Sequence, residues 1–310
     1  MSNYVKISLL GPDFLLLDPE GDSKLNYKYM KEHWETQLDF VLPDKPDLII
    51  LPEVCDRPWE FPHEPKMEFY KVRGNDFFDM LKKKAKENHC YIAYAWEREL
   101  PDGSWRNAVT LIGRDGNEIG VYDKNFITLE QMEYGVFKHG ADAPVFELDF
   151  GRVGCAICFD LNFDELCNRY AAQKPDLIIF SSYYHGSIKA NYWAYKCRAF
   201  LAGAIARNEC YIISPDGKKI AATDHRLRFL THTVNLDCCH VHAGRAEEGK
   251  LADLKARYGC GVRIEDSGCL DSFLVYSELD GVKAYDMVKA AGIETFDEHL
   301  AKALGSCKLQ

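Results

Sequence analysis

The chain has 310 residues and a net charge of −10, from 38 basic and 48 acidic side chains. Hydrophobic residues make up 47% of it and aromatic residues 13%, enough for a sizeable core, which excludes a disordered chain. The acidic excess argues against non-specific binding to nucleic acid or to an anionic membrane. Twelve cysteines without framework spacing are typical of reduced thiols. Since no signal peptide or membrane span is recognisable, we predict a cytoplasmic protein.

Short apolar runs alternate with amphipathic stretches, which is typical of an α/β protein. Turn signals such as Pro101-Asp-Gly-Ser104 separate several of the runs. Helical spacing predicts apolar faces over 30–41 and 77–85. The predicted strands cover residues 4–10, 45–52, 90–96, 107–112, 118–122 and 153–157.

Three reactive side chains stand at the ends of predicted strands. Glu53 follows the strand at 45–52, Lys124 follows the strand at 118–122, and Cys158 follows the strand at 153–157. Taken singly, each has a commoner explanation, because exposed loop charges and buried, inert thiols are frequent. In open α/β sheets, however, reactive groups gather at the carboxyl ends of the strands. The three positions therefore predict one shared site.

An internal repeat indicates how the chain is organised. Lys45-Pro-Asp-Leu-Ile-Ile50 recurs letter for letter as Lys174-Pro-Asp-Leu-Ile-Ile179. Each copy follows an amphipathic stretch and opens a buried strand. We interpret the repeat as two similarly built halves of one layered α/β domain.

The order of the motifs resembles the nitrilase, or carbon-nitrogen hydrolase, superfamily. The motifs are Leu51-Pro-Glu53, Tyr122-Asp-Lys124 and Gly154-Cys-Ala-Ile-Cys158-Phe-Asp160. Shorter matches extend through 181–184, 193–199 and 211–217, so the resemblance covers roughly residues 4–238. It implies a four-layer αββα sandwich, with a hydrolase domain at 1–243 and a C-terminal extension at 244–310. It implies no metal or organic cofactor.

The resemblance makes Cys158 the nucleophile, Glu53 the general base and Lys124 the cation beside the oxyanion. A lysine ammonium close to the sulfur is expected to lower its pKa, while the carboxylate accepts the proton. The backbone N–H of Phe159 is the second predicted oxyanion donor. Family members usually carry another glutamate between the lysine and the cysteine. Glu133 is the preferred candidate and Glu130 the alternative.

The segment after the nucleophile departs from the family pattern. Asn162 and Asp164 lie where many members have an arginine and a proline. Because that arginine could pair with a substrate carboxylate, its absence argues against N-carbamoyl amino acids as substrates. Phe159-Asp160 replaces the Trp-Glu of true nitrilases, so we expect a small amide as substrate, hydrolysed through a thioester with release of ammonia or an amine. Two alternatives stay open: a ureido hydrolase, and a degenerate member kept for binding or assembly. Candidate pocket residues are Trp59, Phe126, Tyr134, Asn162, Tyr183 and Tyr184.

The end of the chain holds two further features. Cys238-Cys-His-Val-His242 contains four possible zinc ligands, but strand alternation divides the two cysteines between opposite faces, so we predict no metal site. Thr295 and Glu298 form a capping box before an apolar helical face. In this family such extensions, together with a helix predicted here at 191–207, commonly form a dimer interface. We therefore expect a homodimer or larger homo-oligomer.

Overall fold

The computed structural model describes residues 2–268 and 271–307. They form two compact units, one of Lys6–His232 and one of residues 2–5 with the described residues from Thr233 onward. The domain boundary predicted from the sequence lies later, after residue 243. In the structure the strand Cys238–His242 pairs along its whole length with Ser272–Ser277, which is why it belongs to the second unit.

Two six-stranded sheets run through the first unit. Their orders are β12-β1-β2-β3-β4-β5 and β11-β10-β9-β8-β7-β6. In the first sheet β1, β2 and β3 are parallel, and in the second β7, β8 and β9 are parallel. The strands are β1 (Tyr4–Leu10), β2 (Leu48–Ile50), β3 (Tyr91–Glu99), β4 (Trp105–Ile112), β5 (Glu118–Asp123), β6 (Phe146–Leu148), β7 (Gly151–Ile157), β8 (Leu177–Ser182), β9 (Phe200–Ile205), β10 (Tyr211–Ile213), β11 (Lys219–Ala222) and β12 (Phe229–Asn235).

Helices cover the outer faces of the sheets, which gives the layered αββα sandwich that the resemblance implied. Trp34 of α1 and Phe77 of α3 are buried in one core with residues of the first sheet. On the second sheet, Tyr170 of α5 donates a hydrogen bond to the Cys155 carbonyl. The Ser181 hydroxyl donates to the Leu51 carbonyl and joins the two sheets. The helices of this unit are α1 (Ser23–Asp39), α2 (His63–Arg73), α3 (Asp76–Asn88), α4 (Leu129–Glu133), α5 (Asp164–Gln173) and α6 (Ser187–Cys197).

The sequence repeat has the same backbone structure in both halves. Lys45 and Lys174 each end a helical segment in the left-handed conformation, with φ of 53° and 54°. The following aspartates then enter equivalent parallel ladders, because Asp47 N–H donates to the Lys6 carbonyl and Asp176 N–H to the Arg152 carbonyl, both at 2.8 Å. Each copy leads into a buried strand, β2 or β8. The predicted similarity of the two halves is therefore confirmed for these segments.

One predicted helix is shorter than expected. We predicted a helix over 191–207, but α6 ends at Cys197 and β9 begins at Phe200. Arg198 is left-handed, with φ of 54°, and its N–H caps the last carbonyls of the helix. The fully buried run of β9 then pairs in parallel with β8, so sheet pairing determines the structure of residues 200–205.

The second unit has its own sheet and core. Its sheet order is β14-β15-β13-β16, and Met287 and Val288 are buried in its core. The predicted capping box forms, since Glu298 N–H donates to Thr295 Oγ1 and Thr295 N–H to Glu298 Oε2. Phe296 of the predicted apolar face is buried, whereas Leu300 and Leu304 are exposed, and the homo-oligomer stays a prediction. The elements are β13 (Cys238–His242), α7 (Glu248–Tyr258), β14 (Val262–Asp266), β15 (Ser272–Ser277), α8 (Ala284–Ala290), β16 (Glu294–Thr295) and α9 (Phe296–Cys307).

No helix among the described residues is apolar over a length that would span a bilayer.

Candidate active site

Glu53 and Lys124 meet at the carboxyl-end edge of the first sheet. Glu53 lies three residues beyond β2, and Lys124 directly follows β5. The Lys124 Nζ donates to Glu53 Oε1 at 2.7 Å, and both side chains are almost completely buried. A buried ion pair is expensive to desolvate, and it persists only where its geometry and hydrogen bonds are good. The pair that the sequence predicted is therefore formed.

Cys158 joins this pair from the second sheet. It directly follows β7 and begins a 3₁₀ turn, Cys158–Asn162, with φ of +45°. A left-handed non-glycine residue is strained, and such strain is common where a strand-to-turn junction presents a nucleophile. The half-buried thiol interacts with Glu53 and Lys124 and lies within hydrogen-bonding reach of the Ser182 hydroxyl. The three predicted residues thus converge.

The protonation state of Cys158 differs from the sequence-based expectation. Burial raises the pKa of the Cys158 thiol to about 12, with Glu53 adding to the rise and Lys124 opposing it. We expected the lysine to dominate and lower this pKa, but the cost of desolvating the thiolate and the nearby carboxylate outweigh it. Burial lowers the pKa of Lys124, yet Glu53, Cys158 and Asp160 together leave it raised. The raised pKa favours the neutral thiol, which lies beside the Lys124–Glu53 ion pair.

Asn107 is a site residue that the sequence analysis missed. Its side-chain amide donates to Glu53 Oε1 at 2.8 Å, and its carbonyl accepts from the Lys124 N–H, also at 2.8 Å. The other oxygen, Glu53 Oε2, is buried and accepts no hydrogen bond from the described residues. That oxygen is free to receive a proton. The available signal was a polar residue at the start of an otherwise apolar strand, and it says nothing about what the residue contacts.

Asp160 is the buried carboxylate that connects the loops carrying Lys124 and Cys158. Its Oδ2 accepts from the Tyr122 hydroxyl at 2.6 Å and from the Ile157 N–H at 2.9 Å. Its Oδ1 accepts from the Phe126 N–H at 2.9 Å. Burial raises the pKa of Asp160 to about 6, against the lowering effect of Lys124 and these donors. Asp160 therefore positions the loops that carry Lys124 and Cys158 relative to each other.

Asp160→Asn should destabilise the protein. An amide cannot accept on both sides, so one backbone N–H, of Ile157 or of Phe126, loses its acceptor, at a cost of about 1–3 kcal/mol. Urea unfolding at pH 8 measures the loss. The matched control is Asp164→Asn, because Asp164 is an exposed carboxylate in the first turn of α5.

The same variant should change how stability depends on pH. The pKa of Asp160 rises from 3.8 in the unfolded chain to about 6 in the fold, so the folded state holds a proton that the unfolded state releases. The contribution of Asp160 to stability is therefore full below pH 3.8 and falls as the pH rises to about 6. The Asp160→Asn variant lacks this decline. An equal decline in both proteins would contradict the assignment.

Neither candidate for the second glutamate is placed beside the pair. Both lie on α4, where Glu133 is exposed and has no described interaction with Glu53 or Lys124. Glu130 is 67% exposed and lies 3.9 Å from Arg57. Helix α4 turns both side chains towards solvent and buries Gln131 instead. The second buried carboxylate near Lys124, after Glu53, is Asp160, which was predicted only as part of the cysteine motif.

The predicted pocket residues make several separate sets of contacts. Tyr184 is near Cys158, since burial and then the electrostatic interaction with Cys158 raise the pKa of Tyr184 to about 12. Phe159, whose N–H is the predicted oxyanion donor, is partly exposed, and its carbonyl accepts from the exposed Asn162 side chain at 3.1 Å. Phe126 stacks on Phe163 with ring centroids 3.6 Å apart. Trp59 stacks on Phe14 with centroids 3.9 Å apart, and its ring centroid is 6.0 Å from that of Tyr183. Tyr134 stacks on His63 with centroids 4.6 Å apart.

No group of three or more His, Cys, Asp or Glu side chains suited to a metal ion occurs among the described residues. In the predicted strand with four possible ligands, His242 stacks on His299 with ring centroids 3.6 Å apart.

Comparison with solved structures identifies the class of fold. The crystal structure of an amidase from Nesterenkonia sp. matches with a TM-score of 0.59 at 15% identity, covering 81% of this chain and 97% of that chain. Saccharomyces cerevisiae Nit3, a member of branch 10 of the nitrilase superfamily, matches with a TM-score of 0.56 at 17% identity, covering 75% of this chain and 90% of that one. The fold is therefore that of the nitrilase superfamily.

Sequence comparison then gives the family. The carbon-nitrogen hydrolase family model matches residues 26–240, so the chain belongs to this family. A probable nitrilase of Schizosaccharomyces pombe is 29% identical over 178 residues, which are 52% of this chain and 65% of that protein. The chain thus spans just under two thirds of the length of this curated relative.

Proposed function

We propose that the protein hydrolyses the carbon–nitrogen bond of a small amide through a thioester on Cys158. The observation that carries the proposal is the buried pair of Lys124 and Glu53, 2.7 Å apart, with the Cys158 thiol interacting with both. The site therefore combines a nucleophile, a base and a fixed cation. Membership of the carbon-nitrogen hydrolase family supports the reaction class.

In the first half-reaction the sulfur of Cys158 attacks the amide carbon while its proton passes to Glu53. Negative charge develops on the substrate oxygen, where Lys124 and the Phe159 N–H are the proposed donors. The intermediate collapses, the C–N bond breaks, and the proton on Glu53 moves to the leaving nitrogen. Ammonia or an amine departs and leaves an acyl thioester.

In the second half-reaction water replaces the amine. Glu53 takes a proton from the water while the water oxygen attacks the thioester carbon. The C–S bond then breaks, a carboxylic acid is released, and the proton returns to the Cys158 sulfur. Since Asn107 and Lys124 both donate hydrogen bonds to Glu53 Oε1, the other oxygen, Oε2, is the one available for these proton transfers.

An amide is favoured over a nitrile or a ureido compound by the residues after Cys158. The Nesterenkonia amidase has been solved in complex with butyramide, which makes aliphatic amides the natural first substrates to test. We therefore propose incubating the purified protein with linear aliphatic amides, N-carbamoyl amino acids and nitriles, and measuring ammonia and carbon dioxide. Ammonia from amides alone supports the proposal. Carbon dioxide released with ammonia would favour the ureido alternative, and no turnover of any compound would favour a degenerate member.

A further inference from the structure

A serine hydroxyl lies beside the proposed nucleophile at the end of strand β8. The strand ends at Ser182 and runs parallel to β7, with Ser181 opposite Ile157. The next residues of the two strands, Ser182 and Cys158, are therefore neighbours at the same edge of the sheet. The Ser182 hydroxyl is within hydrogen-bonding reach of the Cys158 sulfur, and its side chain is completely buried. Bulk water therefore does not compete for this hydroxyl.

The backbone around Ser182 fixes the position of its hydroxyl oxygen. On the side away from β7, Ser182 pairs with Ile205 of β9, and its carbonyl accepts from the Ala206 N–H at 2.9 Å. The hydroxyl oxygen accepts from the Tyr184 N–H at 3.0 Å, and the hydroxyl donates to the Tyr184 carbonyl at 2.8 Å. A hydroxyl proton rotates about the C–O bond, so it can turn to a different acceptor while the oxygen stays in place.

The Cys158 sulfur becomes negative twice in the proposed reaction. Charge develops when the thiol loses its proton in the first half-reaction, and again when the C–S bond breaks in the second. Burial and Glu53 raise the pKa of this thiol and so oppose the charge, whereas Lys124 and Ser182 favour it. Lys124 already donates to Glu53 at 2.7 Å and is the proposed donor to the substrate oxygen. Ser182 is therefore placed to donate to the sulfur itself.

We propose that Ser182 is a further catalytic residue, whose hydroxyl donates to the Tyr184 carbonyl while the thiol is neutral and to the Cys158 sulfur when that sulfur becomes negative. Its role in turnover rests on the proposed function. Ser182 keeps its proton throughout: only the acceptor of its hydrogen bond changes, while Glu53 takes up and returns the thiol proton. A hydrogen bond to a charged group is stronger than one between neutral groups, which is why the hydroxyl turns to the sulfur.

The test measures how fast iodoacetamide alkylates Cys158 at different pH values, because this rate follows the fraction of thiolate. Mass spectrometry identifies the alkylated cysteine. Ser182→Ala removes the donor to the sulfur, so its profile should move to higher pH. At pH 8 we expect alkylation to be about 3- to 30-fold slower than in wild type, the difference between a hydrogen bond to a charged group and one to a neutral group. An unchanged rate in Ser182→Ala overturns the proposal.

Three further variants separate the donor from an effect on packing. Ser181→Ala makes the same change at the preceding buried serine, whose hydroxyl donates to the Leu51 carbonyl at 2.8 Å. It should lose stability in urea as Ser182→Ala does, yet alkylate within about twofold of wild type. Ser182→Thr keeps the hydroxyl and should recover most of the rate, whereas Ser182→Val has a similar shape without the hydroxyl and should not. Equal alkylation losses in Ser181→Ala and Ser182→Ala, or in Ser182→Thr and Ser182→Val, contradict the donor role.

Alkylation needs no amide turnover, which keeps this inference distinct from the proposed function. Slower alkylation in Ser182→Ala supports the bond to the sulfur even if the wild type hydrolyses no amide, in which case only the proposed function fails. If amides are hydrolysed but Ser182→Ala changes neither alkylation nor kcat, the function stands and the role of Ser182 is rejected. If both proposals hold, Ser182→Ala should lower kcat for butyramide by about 3- to 30-fold and change KM less, because the hydroxyl acts on the sulfur.

Discussion

Cys158→Ala should lower kcat/KM for amide hydrolysis by about 10⁵-fold or more, because removing the nucleophile of a covalent mechanism leaves only binding and the oxyanion donors. The structure sharpens this expectation, since the described cysteines other than Cys158 include buried ones such as Cys155, whose pKa is raised by burial. For Cys155 burial accounts for the shift, whereas the pKa of Cys158 also responds to Glu53 and Lys124. Ammonia release under steady-state conditions measures the loss.

The exposed Cys260 provides the matched control. Cys260→Ala should keep the wild-type rate, and mass spectrometry of protein quenched during turnover should find an acyl adduct on Cys158 alone. Retention of more than a tenth of the activity in Cys158→Ala would mean that another group attacks the amide, and the thioester mechanism would be wrong.

Glu53→Gln is expected to have the second largest effect. The pKa of Cys158 is raised to about 12, so at neutral pH only about one thiol in 10⁴ to 10⁵ is ionised without help. The attack therefore depends on a base that takes the proton as the S–C bond forms. A glutamine retains an oxygen that can accept from Lys124 and Asn107, but it cannot accept a proton. We expect amide turnover to fall by about 10²- to 10⁴-fold.

The rate of thiol alkylation at pH 8 distinguishes a role of Glu53 as a base from a purely structural role. Burial is the largest cause of the raised pKa of Cys158 and Glu53 is the next. Replacing the carboxylate by a neutral amide therefore lowers this pKa and increases the thiolate fraction at pH 8. Iodoacetamide should alkylate Cys158 at least as fast in Glu53→Gln as in wild type, although amide turnover collapses. A parallel fall in both rates would indicate a distorted site instead of a missing base.

Glu133→Gln is the matched control for this substitution. It makes the same chemical change at the glutamate that the sequence analysis preferred as the additional site residue, and the structure leaves that side chain exposed. We expect more than half of the wild-type turnover to remain. A loss as large as that of Glu53→Gln would show that α4 changes its position when substrate binds.

The position of the proposed catalytic triad was predictable because it depends on where strands end. A run of apolar, β-branched residues followed by a polar residue locates the end of a buried strand, and parallel strands bring their carboxyl ends to one edge. This is why Glu53, Lys124 and Cys158 could be proposed as one site before any distance was known. The buried strand that each copy of the Lys-Pro-Asp-Leu-Ile-Ile segment opens was equally predictable, since proline and an apolar run impose local backbone preferences.

Which side chains are buried near Glu53, Lys124 and Cys158, and how they shift the pKa of the thiol, depends on the tertiary structure. Glu133 and Asp160 are both acidic, and each lies close in sequence to a proposed catalytic residue. Glu133 is exposed on α4, whereas Asp160 is buried and accepts three hydrogen bonds. The pKa of Cys158 depends on the balance of burial against two opposite charges, which no local pattern specifies.

By itself, then, the amino-acid sequence determined the fold class, the family resemblance and the three residues at the strand ends, because these follow from local periodicity and from motif order. Only the tertiary structure decided that Asn107 donates to Glu53 and that burial raises the pKa of the Cys158 thiol. The physical reason is that hydrogen-bond partners, desolvation and cavity walls come from segments far apart in the chain, and their contributions depend on distance and burial.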